Sequence, residues 1–193
     1  MATSLIGSTV AGVSGPKMVH SSPGTSSPVL IRPAQSGDRA QVVDNINLIT
    51  AEEIYLQTDH FAPTADWERV LGGDSDNPAE GRLLIVPVAG GQVVGHLRIF
   101  AGGYGAKDRH VGSIGVALLP AYRGVGIGST LLERGLAWAG PAGFVKMEAY
   151  VIASNLRARR LFQKFGFQLE GTRRQQLLIR GRYEDELVVA RFL

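Results

Sequence analysis

Residues Ser113 to Leu132, SIGVALLPAYRGVGIGSTLL, join an apolar strand-like run to a basic, glycine-punctuated loop and then to an amphipathic helix. The loop Arg123 to Ser129 carries Gly124, Gly126 and Gly128, and residues without a Cβ let the backbone bend sharply and turn several N–H groups toward one ligand oxygen. Behind it, Leu131, Leu132, Gly135, Leu136 and Ala139 recur at helical spacing. That spacing predicts a helix whose unpaired N-terminal donors and positive dipole end face the same point. The stretch therefore reads as a cradle for an anion, phosphate above all.

Two other phosphate loops fit less well. A Walker-type loop needs a lysine after its last glycine, and here Gly128 is followed by Ser129 and Thr130. A dinucleotide fingerprint needs a third glycine where Ser129 stands, and Pro120 interrupts the approach from the strand. What the loop does match is Arg/Gln-x-x-Gly-x-Gly/Ala, carried by Arg123, Gly126 and Gly128.

A second block follows downstream. Phe144 to Val151 is an apolar-rich strand candidate, and Asn155 can cap a helix whose Ala158, Leu161, Phe162 and Phe165 lie on one stripe before Gly166 ends it. The opposite side of that helix carries Arg157, Arg159, Arg160 and Lys164, a run whose default reading is a solvated face and whose second reading is a partial counter-charge for a phosphate. A third block closes the chain: Arg180-Gly181 marks a hairpin turn, followed by Arg182-Tyr183-Glu184-Asp185 and a last apolar strand to Leu193.

In these three blocks the sequence resembles the GCN5-related N-acetyltransferase (GNAT) family. The resemblance runs from about Val29 onward and is strongest between Val111 and Phe167. It implies an α/β fold with a mixed, mostly antiparallel central sheet, helices on both faces and a splayed central strand pair. It also implies acetyl-CoA as cosubstrate and no metal. Val116, Ala117 and Leu118 would pair through their backbone with the pantetheine arm. Arg123, Gly124, Val125, Gly126, Ile127, Gly128 and Ser129 would hold the pyrophosphate, with Asn155 and Phe162 adjoining the cofactor. The reaction implied is direct transfer of an acetyl group to a primary amine of a small molecule, amino acid or peptide. A module that only senses coenzyme A or acyl-coenzyme A, and an enzyme acting on protein N-termini, are the alternatives.

The chain departs from the family at one position. The residue after Leu161 is usually a tyrosine that can protonate the departing thiolate, and here it is Phe162, which has no proton to give. Tyr183 is the substitute candidate, although a tyrosine at the rim of a strand is an equal reading. Asp185 reads as a base or an amine-orienting group, or as a solvated turn carboxylate, and Asn155 as a pantetheine contact as well as a cap. For the acceptor, Glu53 and Tyr55 stand out in the cluster Glu52, Glu53, Tyr55, Asp59 and His60, which also reads as the polar face of a helix.

Composition narrows the function classes. In 193 residues, hydrophobic residues make up 45% and charged residues 19%, enough for one sizeable core. The absence of Cys excludes a thiol nucleophile and a disulfide scaffold. A formal charge of +3, without interleaved aromatic and basic residues, points to an anionic cofactor rather than a nucleic acid. No apolar run approaches the ~20 residues needed to span a bilayer, so a cytoplasmic enzyme without a membrane partner is expected; homodimerisation is an expectation from the family alone.

Residues 1–28, rich in Ser, Thr, Gly and Pro, read as a disordered tail ahead of one acetyltransferase domain over 29–193. Within the domain, strands are expected at Val29 to Arg32, Arg82 to Ala89, Val93 to Ala101 and His110 to Leu119, with a hairpin turn at Gly90-Gly91. Helices are expected at Ala40 to Leu56 and Ala65 to Leu71.

Overall fold

The computed structural model describes residues 17–19 and 28–193. Most of the expected tail lies outside the described residues; within it, strand β1 (Lys17–Val19) pairs antiparallel with β2 (Val29–Pro33). The order then runs α1 (Arg39–Thr50), α2 (Ala65–Leu71), β3 (Asp76–Asn77), β4 (Arg82–Ala89), β5 (Gln92–Val93), β6 (Gly95–Ala101) and β7 (Val111–Leu118). It finishes with α3 (Ile127–Ala139), β8 (Lys146–Ile152), α4 (Leu156–Lys164), β9 (Gln168–Ile179) and β10 (Arg182–Phe192).

The strands form one sheet in the order β1-β2-β4-β6-β7-β8-β10-β9, with β3 and β5 added to β4. Every pairing is antiparallel except β7 with β8. Because strand side chains alternate between faces, β4 feeds two cores. Leu83 and Ile85 pack with α3 residues Leu131 and Leu132 and with Phe162 of α4, whereas Leu84 and Val86 pack with Val42 and Ile46 of α1 and Trp67 of α2. The helices thus lie in pairs on opposite faces, the layered arrangement that buries both sides of a sheet.

The helix expected over Ala40 to Leu56 keeps its inward residues Val42, Ile46 and Ile49 but ends at Thr50. There the Thr50 hydroxyl donates to the Asn47 carbonyl at 2.8 Å, and Glu53 takes a positive φ of 56°, which a helix cannot continue through. The chain released at this point carries Tyr55 to Thr58 across the sheet face.

The decisive feature for function is where one ladder stops. β7 and β8 pair only from Val111↔Lys146 to Ser113↔Glu148, and beyond this register they part. β7 stays attached to β6 as far as Leu118, and β8 stays attached to β10 as far as Ile152.

Candidate active site

The parting of β7 from β8 leaves a strand edge inside the molecule. Gly102 N–H donates to Val111 O and Leu119 N–H donates to Val94 O, so the odd-numbered residues of β7 direct their backbone groups at β6. Val116 and Leu118 consequently direct theirs at the gap. Of these groups, Leu118 O accepts from Arg123 Nε at 2.7 Å; the others have no partner among the described residues. Buried backbone groups are rarely left unpaired, so this edge can take a ligand with amide-like donors and acceptors.

At the end of that edge the chain turns through the glycine loop into α3. Gly126 takes φ 93°, a left-handed value that a side chain strains, and no side chain of the described residues caps the helix. The first intrahelical bond is Thr130 N–H to Gly126 O at 3.1 Å, which leaves the N–H groups of Ile127, Gly128 and Ser129 without a partner among the described residues at the positive end of the helix dipole. A cavity of about 370 Å³ joins these parts, lined by Val116, Ala117, Leu118, Arg123, Gly124, Gly126, Gly128, Ser129 and Asn155. Val125 and Ile127 turn inward to the core instead.

Arg157, Lys164 and Arg123 stand by this cavity. Arg157 lines it, and Lys164 Nζ lies 3.4 Å from Ser129 Oγ. The Arg123 guanidinium is already engaged: it holds both carboxylate oxygens of Glu52, at 2.8 and 2.5 Å, and stacks 4.5 Å over the Tyr55 ring. Its place is therefore to tie the glycine loop to the segment after α1, and the loop meets an anion chiefly with backbone donors.

Asn155 stands between this cavity and a second one. Its Oδ1 accepts from Ala158 N–H at 3.1 Å, the N-cap bond of α4. The second cavity, of about 470 Å³, opens toward α1 and α2, reaches through the gap to Ile114, Val151 and Phe162, and meets the first at Tyr55, Leu56, Val116, Ala117, Asn155 and Ala158. Its roof is Ile46, Leu56, Phe61 and Trp67; its floor is a row of polar side chains on facing strands: His96 and Arg98 of β6, Tyr150 of β8, Glu186 of β10 and Arg173 of β9. Arg173 Nη1 donates to Glu186 Oε2 at 2.9 Å and its guanidinium lies 5.0 Å from the Tyr150 ring. Tyr150 Oη is 3.4 Å from Glu148 Oε2. Burial, and then the Glu148 charge, push the Tyr150 phenol above its ordinary 10.0, so it keeps its proton at neutral pH. His96 is the opposite case: burial, aided by the Arg98 charge, lowers it to about 3, and its Nδ1 has no partner among the described residues.

The structure brings only part of the expected constellation together. Tyr55 lines both cavities, and Phe162 is a core residue, T-shaped against Phe167 at 5.0 Å, that touches the second cavity. Glu53 is exposed, paired with Arg180 at 3.4 Å, and faces neither. Tyr183 is 69% exposed and Asp185 accepts from Gln175 N–H at 2.8 Å; neither lines the two cavities. Sequence reasoning missed Arg98, Tyr150, Arg173 and Glu186. The available signal was a charged residue inside the otherwise apolar β6 and the alternation that puts Glu148 and Tyr150 on one face of β8.

Residues 44–167 match the family model described as Acetyltransferase (GNAT) family. The chain belongs to this family. It is an N-acetyltransferase by its relatives. An uncharacterized N-acetyltransferase of Mycobacterium tuberculosis is 31% identical over 112 residues, 58% of this chain and 68% of that protein. The L-amino acid N-acetyltransferase of Escherichia coli is 28% identical over 169 residues, 86% of this chain and 98% of that one. In fold, the chain is similar to a GNAT-family acetyltransferase from Streptococcus pneumoniae, with a TM-score of 0.76 at 24% identity over 86% of this chain and 99% of that one. It is also similar to an acetyltransferase from Salmonella typhimurium solved with acetyl-CoA, with a TM-score of 0.74 at 24% identity over 86% and 94%. No helix among the described residues is long and apolar enough to cross a membrane.

Proposed function

We propose that this GNAT enzyme transfers the acetyl group of acetyl-CoA to a primary amine held in the second cavity. The observation that carries the reading is the edge at Val116 and Leu118, where among the described residues only Leu118 O has a partner, running straight into the N–H groups of Ile127, Gly128 and Ser129, which have none there. An edge with alternating amide partners fits the pantetheine arm, and the helix start fits the diphosphate. Arg157 and Lys164 are the cations placed to add counter-charge there.

Acetyl-CoA supplies, when bound, an acetyl group activated as a thioester and a thiolate that must be protonated on departure. The Val116 N–H sits where the two cavities meet and is the donor available to polarise a carbonyl laid along the edge. The Tyr150 hydroxyl replaces the proton donor that Phe162 lacks: it lines the acceptor cavity on the strand across the gap, and it holds its proton. Gln57 Nε2 donates to the Tyr150 carbonyl at 3.1 Å, which ties the post-α1 segment over the reacting region.

The cavity offers no strong base. His96 is neutral but too weakly basic at about 3, and Glu186 is committed to Arg173. The acceptor therefore enters as the free amine, and its proton after attack passes to cavity water. The relative from Escherichia coli, named for L-amino acids, supports an acceptor of small size.

The test is free-thiol release from acetyl-CoA against amino acids, polyamines, aminoglycosides and peptide N-termini, with Gly126→Asp as a cofactor-blind control. Amine-dependent release that the control abolishes is the expected result. Tight acetyl-CoA binding with no release for any amine would overturn the reading in favour of a sensing module.

A further inference from the structure

Among the charged groups lining the acceptor cavity, Arg98 alone lacks a counter-charge. Arg173 and Glu186 neutralise one another, and His96 is neutral. Among the described residues Arg98 Nη1 hydrogen-bonds only to the Ser113 carbonyl at 3.4 Å and the Ser113 hydroxyl at 3.3 Å, both long contacts, and the guanidinium lies 5.3 Å from the Phe100 ring. No carboxylate among the described residues pairs with it. Burial depresses its pKa, yet a guanidinium stays cationic at any physiological pH, so the fold holds a half-buried positive charge without a carboxylate partner in the cavity wall. Such a charge is costly unless something else completes it.

The neighbours make room for that something. Arg98 stands opposite Gly115 on β7, and a Cβ at Gly115 would lie 3.4 Å from Arg98 Nε and 3.5 Å from its Cζ, in contact with the guanidinium. Gly115 is also the residue before Val116, whose N–H faces the gap. The cation is thus one residue along the strand from the place where the acetyl carbonyl is polarised.

We infer that the acceptor carries an anionic group close to its reacting amine, and that Arg98 receives it: the substrates are free amino acids or analogues with a carboxylate, or an equivalent oxyanion, next to the amine. This rests on the acetyltransferase reading above and narrows its acceptor. A guanidinium matches a carboxylate through paired N–H donors. The short separation of Arg98 from Val116 along the sheet suits an amine and a carboxylate on one carbon. Ile46, Leu56, Phe61 and Trp67 then face the side chain, which favours apolar acceptors. Polyamines and aminoglycosides bring only positive charge toward Arg98 and are disfavoured by repulsion. A peptide N-terminus has an uncharged amide where the carboxylate is required.

The experiment compares apolar L-amino acids with their carboxamides and with the corresponding decarboxylated amines, each at the same concentration of free amine. The wild-type enzyme is expected to prefer the acid by roughly 10- to 100-fold in kcat/KM, the size of a lost hydrogen bond to a charged group. Arg98→Ala should raise KM for the acid and bring the acid-to-amide ratio close to one, with Arg98→Lys recovering part of it. Equal or better turnover of amides and amines by the wild type overturns the inference and leaves the acetyltransferase reading standing. So does an Arg98→Ala enzyme that loses acids and amides in the same proportion. Absence of turnover for every compound, with acetyl-CoA still bound, overturns both. The wild-type comparison decides the matter even if a variant fails to fold.

Discussion

Acidification tests the environment of His96 directly. The imidazole is held at about 3, against an ordinary 6.5, because it is buried beside Trp67 and near the Arg98 cation. The folded protein therefore refuses a proton that the unfolded chain accepts below 6.5. Stability is complete above that value and falls as pH decreases, down to about 3. From about pH 7 to about pH 5 the loss is about 2 kcal/mol, approaching 1.4 kcal/mol for each further pH unit. Asp38 and Asp74 do not obscure this window. Arginine partners hold both below the ordinary 3.8, so their contributions, present above that value, are lost only in stronger acid. The assay is urea unfolding of the wild type and of His96→Phe, which keeps a ring against Trp67 but cannot titrate. The wild type should lose about 2 kcal/mol across this interval and the variant should not, whatever its stability at neutral pH. An equal loss in both proteins would refute the reasoning, since the pH dependence would then arise elsewhere.

Three further outcomes are expected. Tyr150→Phe should lower kcat by ~100-fold or more with little change in the KM for acetyl-CoA, because it removes the proposed proton donor and no residue of the glycine loop; full kcat in a thiol-release assay would return that role to another group. The wild-type kcat/KM, plotted logarithmically, should rise with unit slope up to the acceptor amine's own pKa, since neither His96 nor the Arg173-bound Glu186 can serve as base. A plateau near neutrality would reveal a base. Asn155→Ala should cost about 1 kcal/mol in urea unfolding through loss of the α4 cap to Ala158 N–H, and an unchanged midpoint would mean that the cap bond contributes nothing.

Much of this site was legible before folding because its signals are local. The glycine loop, the stripe on α3, the Asn155 cap and the turns at Gly90-Gly91 and Arg180-Gly181 each depend on neighbours within a few residues. The polar floor of the second cavity was not, because Arg98, Tyr150, Arg173 and Glu186 come from strands far apart in sequence. Alternation says which face a residue occupies but not which strand lies beside it. Tyr183 shows the same difficulty from the other side. β10 meets β8 only from Glu186 onward, so the hairpin tip carrying Tyr183 overhangs the sheet rather than facing the cleft. The gap itself is a register property: it exists because the ladder of β7 and β8 stops at Ser113↔Glu148, which no single segment announces.

Acetyl-CoA, on the proposed reading, occupies the gap between β7 and β8 and the start of α3. Amide hydrogen exchange, measured residue by residue with and without saturating acetyl-CoA, tests this placement most directly. Slowed exchange is expected at Val116, Leu118 and Gly124 to Ser129, whose N–H groups have no partner among the described residues. Unchanged exchange at those amides, with protection appearing on another surface, would contradict it.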